Sequence, residues 1–398
     1  MHSSVIPEVP LWVVRGGTST GAILRSEDVP ADRELCEELL RHVLGTPLAG
    51  EAPGNRQLGG LGRGIATSNK IFIVKAPPGS TRLESTLAQL AAGKSAIDWS
   101  VNCGNMSAAL PLYAWDAGLV PVAANGQLPA IEIYNTNTGK TIQGSLELRE
   151  GRPVATEIPG VLGHYPRVIL SLADPVGAKT GQLLPTGSAS DIIAGVAVSC
   201  VDVAVPMVIL RAADVGKTGR EQPHELDGDA ALMERLRGIW VEAGLRMKLR
   251  RRDGSLMSAG ELAASETVPK VCLVARSDDG TTITARYFTP QEAHKSMAVS
   301  GACCLAAACL IPGTVAQGLV DRASLHWVEG SYEVAIANPA GVLRARIEAY
   351  IRGDAITIRQ AAYERSAQIL ARGAMPLYQA SPRLAEFFSN AARRDQRL

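Results

Sequence analysis

Two stretches of the sequence decide the fold, and each predicts a small-residue helix that begins beside a glycine. The first is Asn-Cys-Gly-Asn-Met-Ser-Ala-Ala at residues 102–109, and the second is Ser-Gly-Ala-Cys-Cys-Leu-Ala at residues 300–306. Each places a nucleophile-type residue, Cys103 or Ser300, before the glycine. A helix that is apolar on every side must be surrounded by protein. We therefore expect each stretch to form the centre of its own domain.

The rest of the chain supplies strands that can surround these helices. Apolar or alternating stretches predict strands at residues 11–15, 70–75, 130–134, 141–148, 167–172, 195–210, 270–276, 282–288, 342–350 and 355–360, and residues 101–103 lead into the first apolar helix. Further helices are predicted at residues 32–44, 229–243 and 366–372. The pattern favours an α+β protein with two pseudo-symmetric domains, each a curled β-sheet or barrel around a central apolar helix. The alternative is a chance resemblance between two alanine-rich core helices.

Composition and charge limit the classes of partner. The 398 residues include 40 Lys and Arg against 39 Asp and Glu, a net charge of +1, so nothing favours nucleic acid or an anionic membrane as a partner. The most apolar run, residues 192–210, is interrupted by Asp202 and Pro206 and does not predict a membrane span. We expect a small-molecule substrate. The sequence does not decide between a monomer and a homodimer.

The cysteine and histidine patterns predict neither a metal site nor secretion. None of the seven cysteines forms a CxxC pair, and the six histidines form no HxH or HExxH pattern. The N-terminus lacks a basic region followed by an apolar core, so no signal peptide is expected. A reduced, cytoplasmic enzyme is the expectation.

The starts of the two apolar helices are candidate anion sites. First-turn N–H groups have no partner inside a helix and favour negative charge, which makes candidates of Gly104, Asn105, Met106, Gly301 and Ala302. If both helix starts point into one cleft, that cleft suits a substrate with two or more carboxylates. A thiol at a helix start, as for Cys103, is typical of a reactive cysteine. The alternative for Cys103 is a buried structural cysteine.

Two lysines and one arginine are the candidate cations. Lys70 opens an apolar strand, where a lysine is ordinarily a solvated edge charge, but a desolvated lysine in a cleft can act as a general base or acid. Lys270 opens a similar strand and is a candidate to bind a carboxylate. Arg15 begins the loop Arg-Gly-Gly-Thr-Ser-Thr-Gly at residues 15–21, whose alternative reading is a capped glycine turn. This loop lacks the spacing and lysine of a phosphate loop.

Four short segments, in order along the chain, resemble the PrpF-type family: residues 15–19, 102–108, 184–187 and 311–315. That family includes 2-methylaconitate cis-trans isomerases, aconitate and methylitaconate isomerases and 4-oxalomesaconate tautomerases, and it belongs to the diaminopimelate-epimerase-like fold. The resemblance implies two similar domains, residues 1–185 and 186–375, with the active site between them and no cofactor. It also implies that residues 376–398 pack back on the first domain.

The resemblance implies that Lys70 and Cys103 are the catalytic pair. With the helix starts and the cations, the expected substrate-binding residues are Arg15, Thr18, Ser19, Gly104, Asn105, Met106, Lys270, Ser300, Gly301 and Ala302. The chain departs from the usual family pattern at Thr20, Val205, Lys295 and Asn69, where Lys, Asn, Arg and Ser are common. These departures bear on the substrate more than on the reaction.

The sequence thus predicts a cofactor-independent isomerase that transfers a proton on an unsaturated di- or tricarboxylate such as aconitate or 2-methylaconitate. The outcome would be cis-trans isomerisation or an allylic shift of the double bond. One alternative is an amino-acid racemase or epimerase, against which Ser300 counts because it replaces a second thiol. Another alternative is a carboxylate-binding protein without turnover, which Thr20 and Val205 keep open.

Overall fold

A computed structural model of the protein describes residues 6–77, 79–100, 103–123, 125–251, 253–328, 330–352 and 355–395. Val101 and Asn102, which precede the first apolar helix, lie outside the described residues. The chain divides into two compact units. The first unit comprises residues 1–157, 161–170 and 365–398, and the second comprises residues 158–160 and 171–364. The division into domains at residues 1–185, 186–375 and 376–398 stays a prediction.

The elements up to residue 173 are eleven strands and three helices among the described residues. They are β1 (Glu8–Gly16), β2 (Ser19–Arg25), α1 (Arg33–Leu44), β3 (Lys70–Lys75), β4 (Arg82–Leu90), β5 (Ile97–Asp98), α2 (Gly104–Ser107), α3 (Ala109–Asp116), β6 (Ile131–Asn135), β7 (Lys140–Leu146), β8 (Leu148–Arg149), β9 (Arg152–Pro153), β10 (Ala155–Ile158) and β11 (Val161–Ala173). Strand β11 begins in the first unit and ends in the second.

The remaining described elements complete the second unit and return to the first. They are β12 (Asp191–Ile193), β13 (Val196–Val203), β14 (Val205–Arg211), α4 (Pro223–Asp227), α5 (Ala230–Arg246), α6 (Ala259–Ala264), β15 (Lys270–Ala275), β16 (Ile283–Thr289), β17 (Glu292–Ala293), α7 (Val299–Ala308), β18 (His326–Val328), β19 (Ser331–Asn338), β20 (Gly341–Arg352), β21 (Ala355–Pro376) and α8 (Pro382–Asp395). No helix in the described ranges is long and apolar enough to cross a membrane.

Eight strands of the first unit close into a barrel. Pairing is antiparallel for β1–β2, parallel for β2–β3, antiparallel for β3–β4, parallel for β4–β6 and antiparallel for β6–β7. The pairs β7–β11, β11–β21 and β21–β1 complete the circle. Helices α2 and α3 pack against β1, β2 and β7. Because six consecutive residues of α3, 109–114, are buried, this helix has the surrounded position that its apolar sequence predicts.

The second unit repeats the same order of strands. Pairing is antiparallel for β13–β14, parallel for β14–β15, antiparallel for β15–β16, parallel for β16–β19 and antiparallel for β19–β20. Helix α7 packs against β13, β14, β19 and β20, and its residues 301–308 are all buried. The expected pseudo-symmetry is therefore confirmed. Because the two units share one strand order, β3 and β15 occupy equivalent positions. Their first residues, Lys70 and Lys270, are therefore equivalent as well.

Helix α1 covers the outside of the first unit's sheet and has clear start and stop signals. The Asp32 side chain accepts a hydrogen bond from the Leu35 amide at 3.0 Å, and Gly45 ends the helix in the left-handed region at φ 67°. Its apolar residues, which include Leu39 and Leu40, form a buried cluster with residues of β1, β4 and α8, such as Leu384 of α8.

One predicted element is wrong. Residues 366–372 were expected to form a short helix, but they lie in β21, where Ala367, Gln368 and Ile369 pair with Gly16, Arg15 and Val14 of β1. Pairing with β1 supplies backbone hydrogen bonds and packing that outweigh a weak helical preference. This strand brings residues from the end of the chain to the hairpin that joins β1 and β2.

Candidate active site

Lys70 and Cys103 lie close together in the first unit. Lys70 is 6% exposed, opposite Gly21 of β2. A Cβ atom at Gly21 would lie 2.2 Å from the Lys70 carbonyl oxygen and 2.9 Å from Cε of Met106, so only a glycine allows β2 to approach here. Burial lowers the pKa of Lys70, and the neighbouring Cys103 opposes that shift because a thiolate favours the ammonium form. The pair therefore has the composition of a proton-transfer couple.

The Cys103 side chain caps the start of α2. Its Sγ accepts a hydrogen bond from the Met106 amide at 3.4 Å, and the Ser19 Oγ lies 3.7 Å from the same sulfur. The sulfur therefore has a backbone amide and a hydroxyl as polar neighbours. Cys103 is partly exposed, whereas the other six cysteines are buried. Among the thiols it is thus the one that a substrate can reach.

The β1–β2 hairpin rests directly on the first turn of α2. A Cβ atom at Gly16 would lie 2.5 Å from the Asn105 carbonyl oxygen, and one at Gly17 would lie 2.5 Å from Asn105 Oδ1. Gly17 also has a left-handed backbone, with φ 53°. Beside them the Asn105 amide Nδ2 donates to Thr18 Oγ1 at 3.2 Å. The two glycines are therefore required for this close approach, and they bring Thr18 and Ser19 to the Cys103 helix.

Arg15 fastens this hairpin from within the unit. It is 8% exposed, and its Nη1 donates to the carbonyl oxygens of Gly17 and Ser366 at 2.8 and 3.1 Å. Its guanidinium lies over the Tyr165 ring at 4.7 Å, and burial lowers its pKa. The buried Nη2 has no hydrogen-bond partner among the described residues. The observed contacts hold the loop, and the expected substrate contact of Arg15 stays a prediction.

A hydrogen-bonded loop precedes Lys70, and the sequence did not predict it. The buried Gln57 donates from Nε2 to the Leu44 carbonyl at 2.9 Å and accepts from the Gly64 amide at 2.8 Å. Asn69 accepts from the Arg63 amide at 3.3 Å. These bonds fix the glycine-rich loop that leads to Lys70. The only sequence signal was Asn69 itself, which departs from the usual family residue.

In the second unit, Lys270 belongs to a small polar group. Burial lowers the pKa of Lys270 to about 8. Burial also lowers the pKa of His294, and the nearby charge of Lys270 lowers it further. The His294 Nδ1 atom accepts a hydrogen bond from the Ser296 amide at 2.9 Å. The His294 ring packs edge-on against Tyr287, with 5.8 Å between centroids. Lys270 is thus a partly desolvated cation beside a neutral histidine.

The first turn of α7 contains the other predicted residues of this unit. Ser300 is half-buried, Gly301 and Ala302 are buried, and a Cβ atom at Gly301 would lie 2.3 Å from the Tyr287 ring. Cys303 and Cys304 are fully buried, and burial raises the pKa of Cys304 well above its ordinary value. The predicted residues therefore fall into two groups: Arg15, Thr18, Ser19, Lys70, Cys103, Gly104, Asn105 and Met106 in the first unit, and Lys270, Ser300, Gly301 and Ala302 in the second.

No cluster of three or more His, Cys, Asp or Glu in the described part of the chain is arranged to hold a metal ion. Lys70 and Cys103 can support acid–base chemistry, because a buried amine and a thiol lie close enough to interact. The sulfur has two polar neighbours and the amine is desolvated, which is the environment that tunes such groups for proton transfer.

A family model described as PrpF protein matches residues 6–378. The chain is a member of the PrpF family. It is 34% identical over 347 residues to the 4-oxalomesaconate tautomerase of Pseudomonas putida, a match that covers 84% of this chain and 91% of that protein. It is 30% identical over 360 residues to the 3-methylitaconate isomerase of Eubacterium barkeri, covering 84% and 89% of the two chains.

The crystal structure of a methylitaconate-delta-isomerase has the same fold. Its TM-score is 0.77 at 27% sequence identity, and the match covers 92% of this chain and 95% of that chain. The expected family, the α+β fold with two similar units and the isomerase class of this PrpF member are therefore confirmed.

Proposed function

We propose that this isomerase moves a proton between carbon atoms of an unsaturated di- or tricarboxylate, such as aconitate or 2-methylaconitate, without a cofactor. Relatives named for oxalomesaconate, methylitaconate and 2-methyl-aconitate support this substrate class. The observation that carries the proposal is the pairing of Lys70, buried and with a lowered pKa, with the partly exposed Cys103.

In the proposed first step Lys70 is the base. Burial favours its neutral amine, which can accept a proton from a carbon next to the double bond. The C–H bond breaks, the proton joins Nζ, and the electron pair spreads through the double bond into the conjugated carboxylate. The product of this step is a dienolate with one additional negative charge. Backbone N–H groups at Gly104 and Asn105 are candidate donors to that charge, each contributing on the order of 3 kcal/mol when well aimed.

In the second step Cys103 returns a proton. The thiol S–H bond breaks, the proton joins a carbon of the dienolate, and the sulfur that remains has the Met106 amide and the Ser19 hydroxyl as polar neighbours. The ammonium of Lys70 then returns its proton to the thiolate, which restores the starting forms. Return at the original carbon after rotation gives cis-trans isomerisation, and return at the other allylic carbon moves the double bond.

The remaining predicted residues are proposed to bind the substrate. Lys270 supplies a cation for a carboxylate, and Ser300, Gly301 and Ala302 supply a hydroxyl and first-turn amides of a ten-residue helix. Arg15, Thr18 and Ser19 are proposed to do the same from the β1–β2 hairpin, and Met106 from α2.

Amino-acid racemisation is the rival reaction, and it needs a second acid–base group opposite the first. Ser300 has no thiol, and the neighbouring Cys303 and Cys304 are fully buried. A hydroxyl is a much weaker acid than a thiol, so this part of α7 favours an isomerase over a two-thiol racemase.

The test is proton NMR in deuterated buffer with cis-aconitate, trans-aconitate, 2-methylaconitate, methylitaconate and diaminopimelate as separate substrates. The proposal expects exchange of an allylic proton and a new isomer with at least one of the unsaturated acids, and none with diaminopimelate. Exchange at the α-carbon of diaminopimelate alone would assign the rival reaction, and no exchange with any compound would leave a binding protein.

A further inference from the structure

Arg365 makes a specific contact with the helix that begins at Cys103. It is 7% exposed and donates from Nε to Asn105 Oδ1 at 2.9 Å, across 260 residues of sequence. A guanidinium group only donates hydrogen bonds, so it must contact the oxygen and not the nitrogen of a carboxamide. Arg365 therefore decides which way the Asn105 amide points.

With its oxygen on Arg365, the Asn105 amide nitrogen faces the β1–β2 hairpin. It donates one N–H to Thr18 Oγ1 at 3.2 Å. A carboxamide nitrogen carries two N–H groups, so a second one remains to donate. Asn105 is partly exposed. Its hydrogen-bond partner Thr18 directly precedes Ser19, whose Oγ lies 3.7 Å from the Cys103 sulfur, so the amide and the thiol contact adjacent residues of the same hairpin.

The neighbouring residue shows that this part of β21 is built as a clamp. The Ser366 carbonyl oxygen accepts from the Gly17 amide at 2.9 Å and from Arg15 Nη1 at 3.1 Å. Consecutive residues of one strand thus hold the hairpin and the start of α2. Of these two residues, Arg365 is the one that contacts the Asn105 side chain, whose amide nitrogen can donate a further hydrogen bond.

We infer that Arg365 is a positioning residue, which holds the Asn105 carboxamide so that its N–H group donates to a substrate carboxylate next to Cys103. This inference rests on the proposed function, because it needs a carboxylate substrate at Cys103. The charge-assisted bond at Oδ1 polarises the amide and makes its N–H groups stronger donors. Without Arg365 the amide can turn over and present its oxygen, which repels a carboxylate.

The test measures kcat, KM and the melting temperature of Asn105→Asp, Arg365→Met and Arg365→Lys. Asn105→Asp keeps a partner for Arg365 but removes both N–H donors. We expect it to lower kcat/KM about 100-fold with no loss of melting temperature. Arg365→Met leaves the donor but not its orientation, and we expect a loss of roughly 10-fold, with partial recovery in Arg365→Lys. Arg372→Met is the matched control, since Arg372 lies on the same strand and bonds to Asp116.

A double-mutant cycle separates positioning from a general structural role. If Arg365 acts through Asn105, Arg365→Met has no further effect on kcat/KM in an Asn105→Ala background. An equal loss in both backgrounds overturns the inference, as does an Arg365→Met enzyme within twofold of wild type. If Arg365→Met does not fold, the value of kcat/KM for Asn105→Asp becomes the test. Wild-type kinetics for Asn105→Asp would then overturn the inference.

The same variants distinguish this inference from the proposed function. A wild-type enzyme that exchanges no proton with any unsaturated acid contradicts the proposed reaction. Binding of the unreactive propane-1,2,3-tricarboxylate, measured by calorimetry, then tests the donor alone. The inference expects about 10-fold weaker binding for Asn105→Asp, and equal binding would overturn it.

Discussion

The Ser19 hydroxyl lies 3.7 Å from the Cys103 sulfur, although 84 residues separate the two in sequence. The contact exists because the glycines of the β1–β2 hairpin allow it to rest on α2. It gives the thiol a polar neighbour in addition to the Met106 amide. The effect of Ser19 on the reactivity of this sulfur can therefore be tested.

Ser19→Ala should slow both catalysis and thiol chemistry. Loss of this polar contact to the sulfur is expected to lower kcat about 10-fold and to slow alkylation of Cys103 by iodoacetamide. Ser107→Ala is the matched control, because the Ser107 hydroxyl bonds to the Cys103 carbonyl and not to its sulfur. If both variants change alkylation equally, the effect comes from the helix start and not from the sulfur contact.

The activity should depend on pH through two lysines. Because burial lowers the pKa of Lys70, its neutral base form should be populated below the usual range of lysine, and kcat/KM should rise with pH through that lowered pKa. Burial lowers the pKa of Lys270 to about 8, so binding of a carboxylate should weaken as pH rises past 8. Initial rates from pH 5 to 10 measure both limbs.

Lys270→Arg identifies the falling limb, because arginine keeps its charge throughout this range. The limb near pH 8 should disappear in that variant while the rising limb stays. The neighbouring His294 also has a lowered pKa and belongs to the acid side of the profile, so His294→Gln should leave the falling limb in place. A falling limb that persists in Lys270→Arg contradicts the assignment.

Lys270 should also make stability depend on pH. Its pKa is about 8 in the native state and about 10.4 when unfolded. Folding therefore opposes the charged form fully below pH 8, less between pH 8 and about 10.4, and not at all above that. Lys270→Met should raise the free energy of unfolding at pH 7 by about 1–2 kcal/mol after allowance for solvent screening. Denaturant titrations should find that this gain shrinks as pH rises toward 10.

Two glycines provide opposite predictions for stability. A Cβ atom at Gly301 would lie 2.3 Å from the Tyr287 ring, whereas one at Gly238, exposed on α5, would meet nothing within 4 Å. Gly301→Ala should lower the free energy of unfolding by about 1–3 kcal/mol. Gly238→Ala should raise it by roughly 0.5–1 kcal/mol because alanine favours a helix. Urea unfolding of both variants checks this, and an unchanged Gly301→Ala protein would contradict the close packing.

The sequence predicted those parts of the fold that depend on local pattern. The surrounded positions of α3 and α7 follow from their apolar residues, and the strands opened by Lys70 and Lys270 follow from β-branched runs. Residues 366–372 were assigned to a helix because a strand that pairs with β1 has no local signature. That pairing joins residues about 350 positions apart.

The same reason explains what was missed at the site. Lys70 and Cys103 could be identified because each lies in a short segment that resembles the family pattern. Arg365 reaches Asn105 only through β21, and Gln57 braces the Lys70 loop through the end of α1. No spacing rule in a single sequence indicates either contact.

The role of Lys70 as the base is tested by deuterium incorporation into an unsaturated tricarboxylate, followed by proton NMR for the wild type and for Lys70→Ala. We expect exchange of an allylic proton by the wild type. We expect at least a 1,000-fold slower exchange by Lys70→Ala, about the contribution of a positioned general base. Exchange at the wild-type rate in Lys70→Ala would contradict the role of Lys70 as the base.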